Sequence, residues 1–288
     1  MLFWAHKPVP SLARFVDHLW CLNDAPAHQR ERVLPAGTLE LVINLDQDEF
    51  RIHDRERPGQ YQRFAGAIVS GAYSRYFVID TREHASIIGV HFKPGGALPF
   101  FAVPPGALAD RHVELEQLWG VSARELREQL CEERGIQRRF RVLEHALLTR
   151  LAGNRGPRPA ACAGLEWLSA GRKVTEVASA LGLSRRRLIT VFTEDVGLTP
   201  KVFARITRFQ GALAHARSLN PIDWSQLAHH AGYFDQSHMI RDFADFAGLT
   251  PRALHVHCAA THVKADHVAI SQSSHSSNTP VSSSIRVG

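Results

Sequence analysis

The sequence has no long hydrophobic run. No segment approaches the roughly 18 to 20 uninterrupted apolar residues of a membrane span. Residues 1–15, MLFWAHKPVPSLARF, also lack the continuous apolar region of a signal peptide. These absences argue against membrane and secreted proteins, and we expect a cytoplasmic protein that makes no contact with a membrane.

Cysteine is scarce and scattered. The chain has four cysteines, Cys21, Cys131, Cys162 and Cys258, with no CxxC pair and no close grouping with histidine. A structural zinc site needs such a grouping of ligands. We therefore interpret the four as buried or unreactive thiols, and we expect neither a bound metal nor another cofactor.

Net positive charge is confined to one part of the chain. The total is +6 at pH 7, but residues 1–152 hold 19 Lys+Arg against 19 Asp+Glu. Residues 153–260 hold 13 Lys+Arg against 8 Asp+Glu. A basic segment favours a polyanionic partner, although modest positive charge is also common for solubility.

Changes in composition divide the chain. Residues 153–161, GNRGPRPAA, are dense in glycine and proline and predict a linker. The linker separates a strand-rich N-terminal domain, residues 1–152, from a helix-rich domain, residues 162–260. Residues 261–288 have too few large apolar groups to offset the entropy of ordering them, so we expect a disordered tail. The predicted fold class is α+β.

The N-terminal domain combines strand and helix patterns. RVLPAGTLELVINL and RYFVIDTREHASIIGVHF are rich in β-branched and aromatic residues and predict a small antiparallel β-barrel or sandwich. Residues 122–152 change to a helical period, with Ser122 and Glu125 as a capping box. One helix face carries an apolar stripe formed by Ile136, Phe140, Leu143, Leu147 and Leu151. The stripe fits packing against the strands or a dimer-forming helix.

A pattern occurs twice in the C-terminal domain. LGLSRRRLITVFTEDVGLTP, residues 181–200, and AGYFDQSHMIRDFADFAGLTP, residues 231–251, share glycines, an apolar anchor and a final Thr-Pro at offsets of 50 to 51 residues. In each copy a helix ends at a glycine, Gly182 or Gly232, and a capping residue, Ser184 or Asp235, begins the next helix. Two short helices joined by a tight glycine turn predict a helix-turn-helix unit.

A longer helix joins the two copies. It begins at Thr199-Pro200, where proline loses no hydrogen bond, and runs to about residue 218. At about 1.5 Å per residue it spans roughly 28 Å. That length is comparable with the roughly 34 Å between successive major-groove segments on one side of a duplex. The helix can therefore hold two helix-turn-helix units at a separation that suits DNA.

The outward side chains of the repeat are the candidate DNA contacts. The candidate base-reading residues are Arg186, Thr190, Gln236, Ser237 and Arg241. The candidate phosphate contacts are Arg185, Arg187, Lys201, Arg205 and Arg208. For Arg241 the alternative is a salt bridge with Asp242 or Asp245.

Residues 164–258 resemble the DNA-binding domain of AraC/XylS-type transcriptional regulators. The matching signature consists of Gly232, Tyr233, Ser237, Met239, Arg241, Phe243, Gly248, Thr250 and Pro251. Residues 1–120 resemble, more loosely, the N-terminal domain of some such regulators, in LPAGTLELVINL, GVHFKPGGALPFF and LADRHVELEQLWG. The resemblance implies a double helix-turn-helix domain and a cupin-like barrel. It also implies a small-molecule effector or homodimer formation at the barrel, and contact with RNA polymerase as an activator.

We therefore expect a sequence-specific transcription regulator that binds double-stranded DNA, and not an enzyme. The alternative is a DNA-binding module attached to a cupin-like metal enzyme domain, but His84 and His91 lie seven residues apart and no H-x-H is nearby. An alkyl-transfer DNA repair protein would need a nucleophilic, zinc-associated cysteine, whereas Cys21 and Cys131 are isolated. A third alternative is a scaffold that binds only proteins, in which the arginine-rich helix would be a solvated charged face.

Overall fold

The computed structural model describes residues 2–23, 30–57, 59–81, 86–151, 156–219, 221–260 and 267–269. Strands dominate up to residue 114, and helices dominate from residue 115. This order agrees with the predicted mixture of a strand-rich N-terminal part and a helical C-terminal part. Within these ranges, no helix is long and apolar enough to cross a membrane.

The strands form two antiparallel sheets. The first sheet contains, in spatial order, β1 (Leu2–His6), β2 (Val16–Asn23), β9 (Ser86–Phe92), β4 (Glu40–Asn44), β7 (Ala67–Ser70) and β10 (His112–Glu114). The second sheet contains β11 (His267–Ala269), β3 (Arg30–Val33), β8 (Phe77–Asp80), β5 (Phe50–His53) and β6 (Tyr61–Phe64). Each of the two sheets has open ends in the described part of the chain, so the predicted barrel closure is not confirmed.

Alternation along the strands of the first sheet explains its layered packing. On β4, Leu41 and Ile43 join the large apolar core, whereas Val42 faces a smaller core around Trp20 and Phe50. Successive side chains of a strand point to opposite faces, so both faces of this sheet are covered. The three N-terminal helices cover one face and the second sheet covers the other.

Those helices are α1 (Leu115–Trp119), α2 (Val121–Glu132) and α3 (Ile136–Leu151). The predicted capping box is wrong, because Gly120 precedes α2 and the Ser122 hydroxyl donates to the Trp119 carbonyl instead. The apolar stripe of α3 is buried inside the chain at Phe140, Leu143 and Leu147. It therefore packs against the strand-rich part, and it does not offer a dimer surface.

Seven helices follow. They are α4 (Pro159–Ser169), α5 (Val174–Ala180), α6 (Arg185–Val196), α7 (Pro200–Arg217), α8 (Trp224–His230), α9 (Gln236–Ala247) and α10 (Pro251–Ala260). Proline at the first or second position of α4 and α7 loses no hydrogen bond, because those backbone N–H groups have no partner within a helix. Helix α4 thus begins within the segment that we predicted as a linker, while residues 153–155 lie outside the described residues.

The predicted disordered tail needs one correction. Residues 261–266 and 270–288 lie outside the described residues, but His267–Ala269 pairs antiparallel with residues 31–33 of β3. The edge of a sheet presents unpaired N–H and C=O groups that accept such a strand.

The strand-rich and helical parts share one continuous apolar core. Phe92 and Phe100 belong to the same buried cluster as Phe192 and Phe209. The Gln210 side-chain amide donates to the Pro35 carbonyl at 2.7 Å, which adds a polar tie between the two parts. The division into separable domains remains a prediction, although the two parts differ in secondary structure.

Candidate nucleic-acid interface

Helices α5 and α6 form the first helix-turn-helix unit. Gly182 follows α5 with a φ of +64°, a conformation that favours glycine. The Ser184 hydroxyl accepts a hydrogen bond from the Arg187 N–H at 3.2 Å, which caps α6. Leu188 and Phe192 are fully buried and fix the inner face of α6. The turn and cap predicted for this unit are confirmed.

Helices α8 and α9 form the second unit in the same way. Asp223 accepts from the N–H groups of Ser225 and Gln226 at 2.9 and 3.0 Å and caps α8. Gly232 has a φ of +79° and ends that helix. The Asp235 carboxylate then accepts from the His238 N–H at 2.7 Å and caps α9. Different residues thus build the same local geometry in both units.

The outward face of α6 is strongly cationic. Arg185, Arg186 and Arg187 are exposed, and none of them forms an ion pair with a described residue. Thr190 lies one turn further on, half-exposed, and its hydroxyl donates to the Arg186 carbonyl at 3.1 Å. These guanidinium groups are available to an external anion.

The outward face of α9 is more varied. Gln236, Ser237 and Arg241 are exposed, and the Arg241 Nε donates to the Ser237 carbonyl at 3.3 Å. The alternative salt bridge of Arg241 with Asp242 or Asp245 is not formed, because both carboxylates pair with an arginine of α7. Arg241 therefore stays on the outer surface of the second unit.

That arginine is Arg205, the centre of a cluster that joins α7 to α9. Its Nε and Nη2 donate to Asp242 at 2.9 and 2.7 Å, and its Nη2 also donates to Asp245 at 2.6 Å. Arg208 reaches Asp242 at 3.5 Å and lies 4.7 Å from the centre of the Tyr233 ring. We call these four charged residues, Asp242, Asp245, Arg205 and Arg208, the Asp242 cluster.

Burial explains why the Asp242 cluster is tight. Asp242 is only 2% exposed, so its charge requires compensation inside the helical part. Burial lowers the pKa of Arg205, but its bonds to Asp245 and Asp242 outweigh that effect and place the pKa above the usual arginine value. Arg205 and Arg208, both predicted phosphate contacts, are thus already engaged with carboxylates of this chain.

An open cleft of about 810 Å³ runs along α7 between the two units. The cationic side chains that line it come from both units and from α7: Arg172, Lys173, Lys201, Arg205, Arg208 and Arg241. We did not predict Arg172 and Lys173, although their position just before α5 was a signal, since exposed cations at the border of a helix-turn-helix can reach a duplex. Their presence extends the cationic lining to the start of the first unit.

Phe234 is a third residue that we did not predict. It precedes the cap Asp235 and is 84% exposed. An apolar residue at this position usually packs against the fourth residue of the helix, as a hydrophobic staple. Phe234 remains in solvent instead, beside the candidate base-reading residues Gln236 and Ser237, so it is a further candidate contact residue. Its position directly before the cap is the sequence signal.

The N-terminal part holds another cleft, of about 820 Å³, lined by Phe77 and His112 among others. Nδ1 of His112 lies 3.0 Å from the Ser70 hydroxyl, and its buried Nε2 has no partner among the described residues. Burial lowers the pKa of His112 to about 3, so the ring is neutral at pH 7. Among the described residues, no group of three or more His, Cys, Asp or Glu could hold a metal ion, and His84 lies outside them.

Two family models match this chain. Residues 177–255 match the model described as a helix-turn-helix domain. Residues 5–114 match the model described as a domain of unknown function, DUF6597. No curated protein matches the chain. The match to residues 177–255 spans α5 to α10, and therefore both helix-turn-helix units.

Several solved structures are similar to parts of this chain. The C-terminal domain of AraT, a response regulator from Geobacillus stearothermophilus, is 17% identical and covers 34% of this chain and 84% of its own, with a TM-score of 0.32. A DNA-binding transcriptional dual regulator from Escherichia coli K-12 is 19% identical over 34% of this chain and 98% of its own, with a TM-score of 0.30. ToxT from Vibrio cholerae is 8% identical over 89% of this chain and 98% of its own, with a TM-score of 0.45.

Proposed function

We propose that this chain is a DNA-binding transcription regulator with an AraC-type helix-turn-helix domain. In this proposal it reads one bipartite DNA sequence with both of its units. The observation that carries the proposal is the duplicated geometry, two capped recognition helices packed on the single helix α7. Helix α7 has 18 residues. It is about 27 Å long at about 1.5 Å per residue, close to the roughly 34 Å repeat of the major groove.

The first turns of α6 and α9, and the residue one turn later on each helix, supply the base-reading residues. In this position a recognition helix presents its N-terminal side chains to base edges. The proposed base-reading residues are Arg186, Thr190, Gln236, Ser237 and Arg241. Arginine suits the O6 and N7 acceptors of guanine, and glutamine suits the N6 and N7 groups of adenine.

The proposed phosphate contacts fall into two groups. Arg185, Arg187 and Lys201 are exposed and have no carboxylate partner among the described residues, so their charges can replace counterions on DNA. Arg205 and Arg208 share the Asp242 cluster, where two carboxylates offset two guanidinium groups. These two arginines therefore contribute less net charge to DNA, and they position α9 as well.

The N-terminal part is proposed to sense a small-molecule effector or to mediate association of two copies. The cleft with the unpartnered, neutral His112 Nε2 supports the first role, because a buried polar atom gains from a hydrogen-bonding ligand. Activation of transcription through contact with RNA polymerase is proposed from the resemblance of the C-terminal part to AraC/XylS-type activators.

Selection from a random duplex library with the full chain tests the DNA-reading proposal. We expect enrichment of one bipartite sequence, together with an affinity that falls steeply as salt rises. Sequencing the genomic fragments bound by the chain would then give its natural sites and target genes. A folded chain that enriches no sequence, or that binds equally at low and high salt, would contradict the proposal.

A further inference from the structure

Two glycines occupy the same position in the two units. Gly197 ends α6 and Gly248 ends α9, with φ angles of +93° and +65°. Both glycines lie at the C-terminal end of a recognition helix, opposite the end that reads DNA. Because glycine has no Cβ, another part of the chain can approach the backbone closely at both places.

One segment of the N-terminal part lies close to the backbone at both glycines. A Cβ atom added to Gly197 would lie 3.2 Å from both the Ala72 Cβ and the Pro105 carbonyl oxygen, and one added to Gly248 would lie 2.7 Å from the Tyr76 ring. The Tyr76 N–H also donates to the carbonyl of Phe246, in the last turn of α9, at 3.0 Å. We call residues 71–77 the brace, since this one segment contacts the ends of both recognition helices.

The brace is itself held firmly by the N-terminal part. The Ser74 N–H donates to Asp110 at 2.6 Å, and the Asp110 N–H donates to the Ala72 carbonyl at 3.2 Å. The guanidinium groups of Arg32 and Arg55 lie 5.2 and 5.7 Å from the centre of the Tyr76 ring. Contacts on several sides leave the brace little freedom to follow an independent movement of either unit.

Helix α7 alone leaves the relative tilt of the two units to the side-chain packing along its length. The brace adds a second connection, at the ends of α6 and α9 away from the reading face. We propose that the brace sets the separation and tilt of the two recognition helices, so that the N-terminal part determines which half-site spacing is bound. This inference rests on the proposed reading of DNA by both units. Ala72 and Tyr76 are positioning residues, since they act through α6 and α9.

The test compares half-site spacing among full-length variants. Selection from random duplexes is run with the wild type, with Tyr76→Ala and with Tyr76→Phe, which keeps the ring. Tyr61→Ala is the matched control, because Tyr61 is an exposed ring on β6 that packs on Arg51 and Arg63. Thermal unfolding is measured for every variant, and affinity is measured on duplexes in which only the spacing is changed.

For the wild type, Tyr76→Phe and Tyr61→Ala, we expect one sharp spacing. For Tyr76→Ala we expect the same two half-site sequences, a broader range of spacings and an affinity about two- to tenfold lower at the wild-type spacing, the size of one lost aromatic contact. A folded Tyr76→Ala chain with the wild-type spacing profile overturns the brace, and a wild type that enriches a single undivided motif also overturns it. A wild type that enriches no sequence contradicts the proposed DNA reading itself.

If Tyr76→Ala does not fold, Ala72→Gly decides the question. This change removes only the Cβ that faces Gly197 and leaves the Tyr76 contact intact. A broadened spacing profile supports the brace, and an unchanged profile overturns it.

Discussion

The two helix-turn-helix units have the same local geometry but present different chemistry. The first unit exposes three consecutive arginines, Arg185 to Arg187, with no carboxylate partner among the described residues. The second unit exposes an amide, a hydroxyl, the ring of Phe234 and a single arginine, Arg241, and it buries the carboxylate of Asp242 behind them. Under the proposed reading of DNA, the first unit would supply mainly charge, and the second would supply more of the hydrogen-bonding specificity.

The units are also anchored differently. Arg158, just before α4, donates to Asp195 of the first unit at 2.7 Å and to Glu194 at 2.6 Å. The second unit is anchored to α7 through the Asp242 cluster. The anchor of the first unit thus comes from the segment that joins the strand-rich and helical parts, while the anchor of the second comes from the helix that both units share.

The largest expected effect comes from breaking the anchor of the second unit. Asp242→Ala leaves Arg205 and Arg208 without their buried partner, so we expect a loss of about 3 kcal/mol in the free energy of unfolding. Urea unfolding followed by circular dichroism measures it. The control Asp245→Ala removes a carboxylate whose side chain is 52% exposed, and it should cost less than about 1 kcal/mol. Equal losses for the two variants would contradict an anchoring role specific to Asp242.

Arg186→Ala tests base reading in the first unit. We expect cognate binding to weaken by about 1 to 3 kcal/mol and the preference to relax at one base pair, as for a lost bidentate contact with guanine. Fluorescence anisotropy on cognate and random duplexes measures both effects. The control Arg187→Ala should weaken both duplexes about equally. An equal loss for Arg186→Ala, in a folded chain, would reassign it to phosphate contact.

Phe234→Ala tests the apolar contact of the second unit. A phenyl ring beside the base-reading residues can contact a thymine methyl group in the major groove. We expect the variant to lose about 0.8 kcal/mol of binding, the value of one buried methyl or methylene group. Replacing thymine by uracil in the second half-site should cost the wild type a similar amount and cost the variant nothing further. If the uracil substitution weakens binding of the variant as much as that of the wild type, Phe234 does not contact the methyl group.

Salt dependence gives the smallest expected effect and compares free with paired arginines. Arg185→Ala should reduce the slope of log affinity against log salt by about 0.9, because one phosphate contact is lost. Arg205→Ala should reduce it less, since Arg205 already pairs with Asp242 and Asp245. A full reduction for Arg205→Ala would show that this guanidinium neutralises a phosphate in the complex. Titrations at several salt concentrations measure both slopes.

The parts of the molecule that the sequence predicted are the parts set by neighbouring residues. The side chains of Ser184, Asp223 and Asp235 cap their helices by accepting from backbone N–H groups two or three residues further on. Gly182 and Gly232 end helices because glycine readily adopts a positive φ. Spacing along the chain records such interactions, so both units and the helix between them were predictable. The predicted capping box at Ser122 failed because Gly120 ends one helix and begins the next at that point.

Tertiary structure decided what depends on residues far apart in the chain. Arg205 and Asp242 are 37 residues apart, and Tyr76 and Phe246 are 170 apart, so no local pattern indicates that either pair meets. The predicted barrel could not be distinguished from two layered sheets for the same reason, since alternation fixes the faces of a strand but not its neighbours. By itself the sequence determined two capped recognition helices and their outward residues. Only the tertiary structure decided which arginines lack a carboxylate partner, and only it showed that one N-terminal segment contacts both helices. The reason is that packing brings together residues that are distant in the chain, where spacing gives no signal.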